Sequence, residues 1–287
     1  MADRPDPACH RRLIVGCGYL GQRVADRWLA AGDTVFATTR SPARADQFAA
    51  IGLRPLLGDV AVAGPGGLPE LPEVDTVLWA VGFDRSAAAS YEDVHVTGLS
   101  RLLDRLPGRP RVIFISSTGV WGDGSGGFVN ETTPPSPTRE AGRVLVAAEA
   151  LLQSHRLGPG VSLRLAGLYG PDRLPRLADL QAGRPLPADP DSWLNLIHID
   201  DAADVVCGVA ALPAPRPLYV VSDGSPVTRR DWYGGLARIA GSPPPVWNPA
   251  ASRSRGGDKR ADPGLIWADL GRSPDHPDAL KAVEQLL

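Results

Sequence analysis

Glycine spacing is the strongest chemical signal in this chain. Gly16, Cys17, Gly18, Tyr19, Leu20 and Gly21 read G-x-G-x-x-G directly behind the apolar run Leu13 to Val15. They also open a stretch with Leu20, Val24, Trp28 and Leu29 at helical spacing, which ends at Gly32. At such a strand-to-helix turn, backbone N–H groups and the positive end of the helix dipole can hold a pyrophosphate. Gly16 permits the turn, Gly18 lets phosphates approach, and Gly21 allows tight packing of helix on strand. A second signal ends the next strand candidate, Thr34 to Thr39, whose tip reads Thr38, Thr39, Arg40, Ser41. A carboxylate at that place accepts from a ribose 2′-OH, whereas a guanidinium receives a 2′-phosphate. No acid occupies the tip, so the residues favour NADP, with NAD as the alternative. Asp59 either accepts from an adenine amino group or begins a turn.

The elements that must position these groups alternate regularly. Helix is expected over Pro42 to Ala50 and Val94 to Leu106, and strand over Leu53 to Leu57, Thr76 to Val81 and Arg111 to Ser116. That βα rhythm implies a parallel sheet covered on both faces. Gly122 to Pro137 reads as a long loop. A helix follows with the stripe Val144, Leu145, Ala148, Leu151 and Leu152, then the strand Val161 to Leu165. Pro175 to Pro190 loosens the pattern before strands at Leu194 to Ile199 and Leu218 to Val221, a helix between them to about Leu212, and another near Arg229 to Ala240. The expected fold is α/β: a doubly wound parallel-sheet Rossmann fold over residues 11–170, completed by about 192–222. Residues 171–191 and 223–287 would form a small C-terminal substrate lobe.

Composition narrows the function classes. At 287 residues with 43% apolar and 22% charged residues, the chain reads as an ordinary globular protein. A formal charge of -2 offers no general field for nucleic acid. No run approaches the roughly 18 to 20 apolar residues of a bilayer span. Cys9, Cys17 and Cys207 match neither a disulfide framework nor a metal site, which points to a reducing cytoplasm and no bound metal. Met1 to Arg12 reads as a frayed tail rather than a signal peptide.

The chain resembles the short-chain dehydrogenase/reductase superfamily, in its extended and atypical branch that includes NAD-dependent epimerases and dehydratases. The resemblance rests on Gly16 to Gly21, on Ile115 through Gly122, on Arg164 through Pro171 with Leu168, Tyr169 and Gly170, and on Ile197 through Asp201. It implies cofactor contacts from Gly16, Gly18, Tyr19, Leu20, Gly21, Thr39, Arg40, Ser41, Asp59, Ala80, Val81 and Ser116. Family members place a Ser or Thr after the fifth strand, and Ser117 matches it. They then use a Tyr with a Lys four residues later; Thr138 to Leu145 contains neither. One register puts Arg139 and Arg143 at those positions, and a register anchored on Glu149 puts Ala141 and Leu145 there. Arginine stays protonated and cannot exchange the proton. The remaining candidates near the expected nicotinamide are Ser117, Thr118 and Tyr169, with Asp84 and Tyr91 further off.

Two functions follow. The first is an NAD(P)-dependent oxidoreductase or epimerase/dehydratase-like enzyme acting on a small carbonyl or hydroxyl compound, as a monomer or homodimer. The second is a non-catalytic NADP(H)-binding sensor or regulatory protein, which the missing Tyr-Lys pair favours.

Overall fold

A computed structural model describes residues 9–84, 86–248 and 257–287. The chain alternates as its apolar pattern requires. β1 (Arg11–Val15) is buried from its second residue onward, and α1 (Tyr19–Ala30) buries Leu20, Gly21, Val24, Ala25 and Trp28 on one face. β2 (Thr34–Thr39), α2 (Pro42–Ala50), β3 (Arg54–Leu57) and β4 (Thr76–Trp79) follow. A π-helical turn at Asp93–Gly98 runs straight into α3 (Leu99–Arg105), which precedes β5 (Arg111–Ser117) and the short β6 (Phe128–Val129). Then come α4 (Glu140–Ser154), β7 (Val161–Leu165), β8 (Gly167–Tyr169), α5 (Leu177–Gln181), β9 (Trp193–Leu194), β10 (Leu196–His198) and α6 (Ile199–Ala211). β11 (Leu218–Val221), β12 (Val227–Thr228), α7 (Arg229–Ile239), β13 (Arg260–Ala261), α8 (Gly264–Leu270) and α9 (Ala279–Glu284) complete the chain.

Seven strands form the main sheet in the order β11-β7-β5-β4-β1-β2-β3. β1 pairs in parallel with both β2 and β4, β2 with β3, and β4 with β5. Helices make most of the connections between these strands, and the fold is the expected Rossmann-like α/β arrangement. Order 4-1-2-3 on one side and 4-5-7-11 on the other puts a reversal of winding at β1 and β4.

Two compact units divide the chain. Unit 1 holds the described residues up to Ser116, Val144–Leu163 and Val206–Pro217; unit 2 holds Ser117–Arg143, Arg164–Val205 and Leu218–Leu287. This cut at Ser116 differs from the sequence expectation of a boundary near 170. Its reason is hydrogen bonding over long sequence separations within unit 2. Gly124 N–H donates to Asp258 O (2.9 Å), Arg260 N–H to Gly127 O (2.8 Å), and Val220 N–H to Glu131 Oε1 (2.7 Å). The core of unit 2 gathers Tyr169, Leu186, Leu196, Trp232, Leu236 and Val283.

The core of unit 1 is the apolar centre of β1, β4 and β5, with Leu13, Ile14, Val77, Leu78, Trp79, Ile113 and Phe114 fully buried. Beside it lies a charge pair that corrects the reading of the N-terminus, since residues 11 and 12 belong to β1 rather than to a tail. Arg12 Nε donates to Asp33 Oδ2 at 2.8 Å and Nη1 to Thr76 Oγ1 at 2.6 Å, while its guanidinium covers the Trp28 ring. The rest of that proposed tail, residues 1–8, lies outside the described residues.

Both partners of this pair are buried, so removing one leaves an uncompensated charge in a poor dielectric. Arg12→Ala should therefore cost about 3–5 kcal/mol, read as a lowered urea midpoint at unchanged slope.

Candidate functional site

The glycine turn is built by close approach. Gly16 has φ +92, and a Cβ there would lie 2.5 Å from the Cα and N of Val81. Only glycine can make the turn and let the tip of β1 pass the chain behind β4. Gly21 packs α1 on the strand, because its Cβ would meet Gly16 O at 2.7 Å and the Ile14 side chain at 3.2 Å. Gly18 is different: nothing lies within 4 Å of a Cβ built on it. That open side, at the N-cap of a helix with no side-chain cap and no acid in its first turn, leaves the positive helix end to receive an anion.

A cavity of about 790 Å³ opens over this turn inside unit 1. Of the residues named from sequence as cofactor contacts, Gly16, Gly18, Thr39, Arg40, Ser41, Asp59 and Val81 line it. Tyr19, Leu20, Gly21, Ala80 and Ser116 do not. Leu20 is buried in the core, Tyr19 carries the Arg23 guanidinium on its ring, and the Ala80 N–H is spent on Val15 O (2.8 Å). Ser116 Oγ donates to the buried Glu149 Oε1 at 2.6 Å, tying β5 to α4. Asp59 is already engaged, accepting from Ala61 N–H at 2.8 Å and facing Arg40 Nη1 at 3.7 Å.

Arg44 was not anticipated. Ser41 caps α2 by accepting from the Arg44 N–H, which turns the Arg44 side chain into the cavity wall, where Nη2 donates to Cys17 O at 2.9 Å. The signal for it was present in Ser41, Pro42 and a basic residue in the first helical turn. Cys17 itself is buried, and burial pushes its thiol up to about 12, which removes it as a nucleophile at neutral pH.

Ser117 and Thr118 sit where β5 ends and a 3₁₀ turn (Thr118–Val120) begins. Ser117 Oγ accepts from the Gly119 N–H at 3.0 Å, so its own proton remains available for donation. Tyr169 is placed otherwise. It is fully buried between His198 and Trp232, and burial together with the Asp223 and Asp201 carboxylates drives its phenol far above the ordinary range. Such a phenol holds its proton, and its position is that of a core side chain. Arg139, just before α4, and Arg143 within it are exposed, and Leu145 is buried.

From sequence, Lys259 and Arg260 read as a basic pair that either meets an anionic substrate or is simply an exposed charge pair, and the structure buries Lys259. It is one of the chain's two lysines, with Lys281, and is 1% exposed. Nζ donates to the carbonyl oxygens of Trp121 (3.0 Å) and Gly122 (3.4 Å), the residues that follow the Thr118 turn. Asn195 fixes its backbone, donating to Lys259 O and accepting from Ala261 N–H. Arg260 does stay at the surface, stacked over the exposed Phe128 ring. Asp201, Asp204 and Asp275 cluster within 4.8 Å, and Arg272, His276 and two backbone N–H groups already engage their oxygens.

The family model for the NAD dependent epimerase/dehydratase family matches residues 13–221. The chain belongs to that family. It is 32% identical over 275 residues to Protein YeeZ of Escherichia coli K12, covering 93% of this chain and 96% of that one. A ketoreductase of Stigmatella aurantiaca that acts on 4-hydroxy-2-methyl-3-oxo-4-farnesyl-3,4-dihydroquinoline-1-oxide is 27% identical over 252 residues, 81% of this chain and 74% of the relative. The solved structure of a putative NAD-dependent epimerase/dehydratase from Methylobacillus flagellatus superposes with a TM-score of 0.73 at 28% identity, covering 96% and 97% of the two chains. Membership supports an NAD(P)-dependent oxidoreductase or epimerase. No helix among the described residues is long and apolar enough to cross a membrane.

Burial, and secondarily the Arg229 charge, pull the Lys259 ammonium down to about 8 from 10.5. A folded pKa below the unfolded one means that the unfolded chain holds more protons between those values, so stability rises with pH across that window. Urea midpoints at about pH 7 and about pH 10 should show this rise in the wild type and a flatter response in Lys259→Met, with a difference on the order of 3 kcal/mol.

Proposed function

We propose that the protein binds NADP(H) through the glycine turn and the tip of β2, and transfers hydride to or from a small carbonyl or hydroxyl compound. The observation that carries this reading is the cavity wall: Thr39, Arg40, Ser41 and Arg44 stand together above Gly18, and the tip itself has no carboxylate. Two guanidiniums with adjacent hydroxyls suit a 2′-phosphate. The dinucleotide, when bound, supplies or accepts the hydride. Within this chain Gly18 gives the pyrophosphate room, Arg44 braces the glycine turn through Cys17 O, and Ser117 and Thr118 offer hydroxyl protons at the end of β5. Tyr169 drops out of the proton-transfer set because of its burial. The small-molecule substrate follows the ketoreductase relative, and three cysteines without a disulfide among the described residues suit a cytoplasmic setting.

A second reading rests on α4. Its sequence, EAGRVLVAAEALLQS, contains no tyrosine and no lysine. Glu149 faces β5 through Ser116, and the positions one and two turns before it are Leu145 and Ala141. Neither carries a proton, which favours a dinucleotide-binding sensor without turnover.

Calorimetry and a turnover panel separate these readings. NADPH should bind more tightly than NADH, and Gly18→Val should weaken either by about a hundredfold or more. Arg40→Ala should weaken NADPH by about tenfold while changing NADH by less than about twofold, whereas Arg44→Ala, which also unbraces the glycine turn, should weaken both and NADPH the more. Equal losses for both cofactors would remove the NADP assignment. NADPH oxidation with any member of a panel of aldehydes, ketones and sugar nucleotides would establish the enzyme, whereas tight binding with no oxidation across the panel would establish the sensor.

A further inference from the structure

Arg40 does not face the cavity alone. Its Nη2 donates to Asp84 Oδ2 at 3.1 Å, and its Nη1 lies 3.7 Å from Asp59 Oδ2. Asp84 belongs to the segment behind β4, 44 residues further along the chain, and it lines the same cavity within unit 1. Its carboxylate is prepared for the contact. Ser86 donates to Oδ1 through both its N–H (3.0 Å) and its Oγ (2.6 Å), which turns Oδ2 toward the guanidinium. Those two Ser86 bonds, followed by the Arg40 contact, hold the Asp84 carboxyl below its usual range, so it is an anion at neutral pH.

A ribose 2′-OH and a 2′-phosphate meet this pair differently. The hydroxyl is neutral and can donate to a carboxylate without disturbing Arg40. The phosphate brings close to two negative charges, needs the guanidinium face that Asp84 holds, and is repelled by Asp84 itself. The ion pair is half-exposed, with 54% of the Arg40 side chain and 43% of the Asp84 side chain accessible, so solvent screening keeps it weak enough to exchange.

We infer that Asp84 is the specificity-determining residue of the cavity: it straps Arg40 across the wall, and a 2′-phosphate enters by displacing it. Asp84 thereby lowers the affinity for NADPH without lowering that for NADH, and NADPH binding frees the segment behind β4 from the tip of β2. This rests on the NADP(H) reading above.

The test is isothermal calorimetry on the full chain with NADPH and NADH, using wild type, Asp84→Asn, Arg40→Ala and the double variant. Asp84→Asn should tighten NADPH binding by about threefold to tenfold and change NADH binding by less than about twofold. In the Arg40→Ala background the same substitution should give a distinctly smaller gain, that of direct charge repulsion alone, because the strap has nothing to hold. Unchanged or weaker NADPH binding in Asp84→Asn overturns the inference while leaving the cofactor reading in place, and so does a gain of the same size without Arg40. A wild type that binds neither dinucleotide overturns both.

Discussion

The site depends on how closely two backbones pass at the end of β1. Gly16 and Val81 are near enough that no Cβ fits between them, and the left-handed φ at Gly16 turns the chain directly into α1. Three consequences follow from that contact. The N-terminus of α1 points over the sheet edge, Gly18 presents bare backbone to the cavity, and the segment behind β4 is brought beside the tip of β2. Gly16 N–H also reaches Thr38 Oγ1 at 3.3 Å, so the glycine turn and the tip carrying Arg40 are held as one wall. A larger residue at 16 would separate all of these groups together.

Most of this wall was legible because it is local. G-x-G-x-x-G sits between an apolar strand and an apolar helical stripe, and each glycine has a role that sequence spacing alone can state. The order of strands and helices was legible for the same reason, since burial of β1, β4 and β5 repeats short apolar runs. Contacts between distant segments were not. Nothing in the neighbourhood of Arg40 announces Asp84, and nothing near Lys259 announces the Trp121 carbonyl 138 residues away. The short β6, β12 and β13 were missed because two residues carry no period, and α5 because the surrounding prolines hide a helix of five residues.

Family resemblance points to strand ends but cannot say which atoms there are already engaged. Ser116 and Asp59 show this. Both are expected cofactor contacts, yet Ser116 ties β5 to α4 through Glu149, and Asp59 holds its own turn and faces Arg40. A side chain's type sets what it can donate or accept, and the fold decides whether that capacity is spent.

The same logic bears on where a proton is available. Tyr169 has the chemistry of an acid, but its hydroxyl is enclosed beside Asp223, whose own carboxyl is driven up to about 7 by burial. A phenolate there would face a poor dielectric and neighbouring negative charge, so the phenol keeps its proton at neutral pH. Ser117 is the opposite case: it is partly exposed, its oxygen accepts from Gly119, and its hydrogen is unassigned within the turn. The backbone that follows that turn is gripped by the Lys259 ammonium, which therefore orders the turn from its far side. The buried Lys259 charge thus fixes backbone geometry, and of the two hydroxyl candidates Ser117 and Tyr169 it is Ser117 whose surroundings leave a proton to donate.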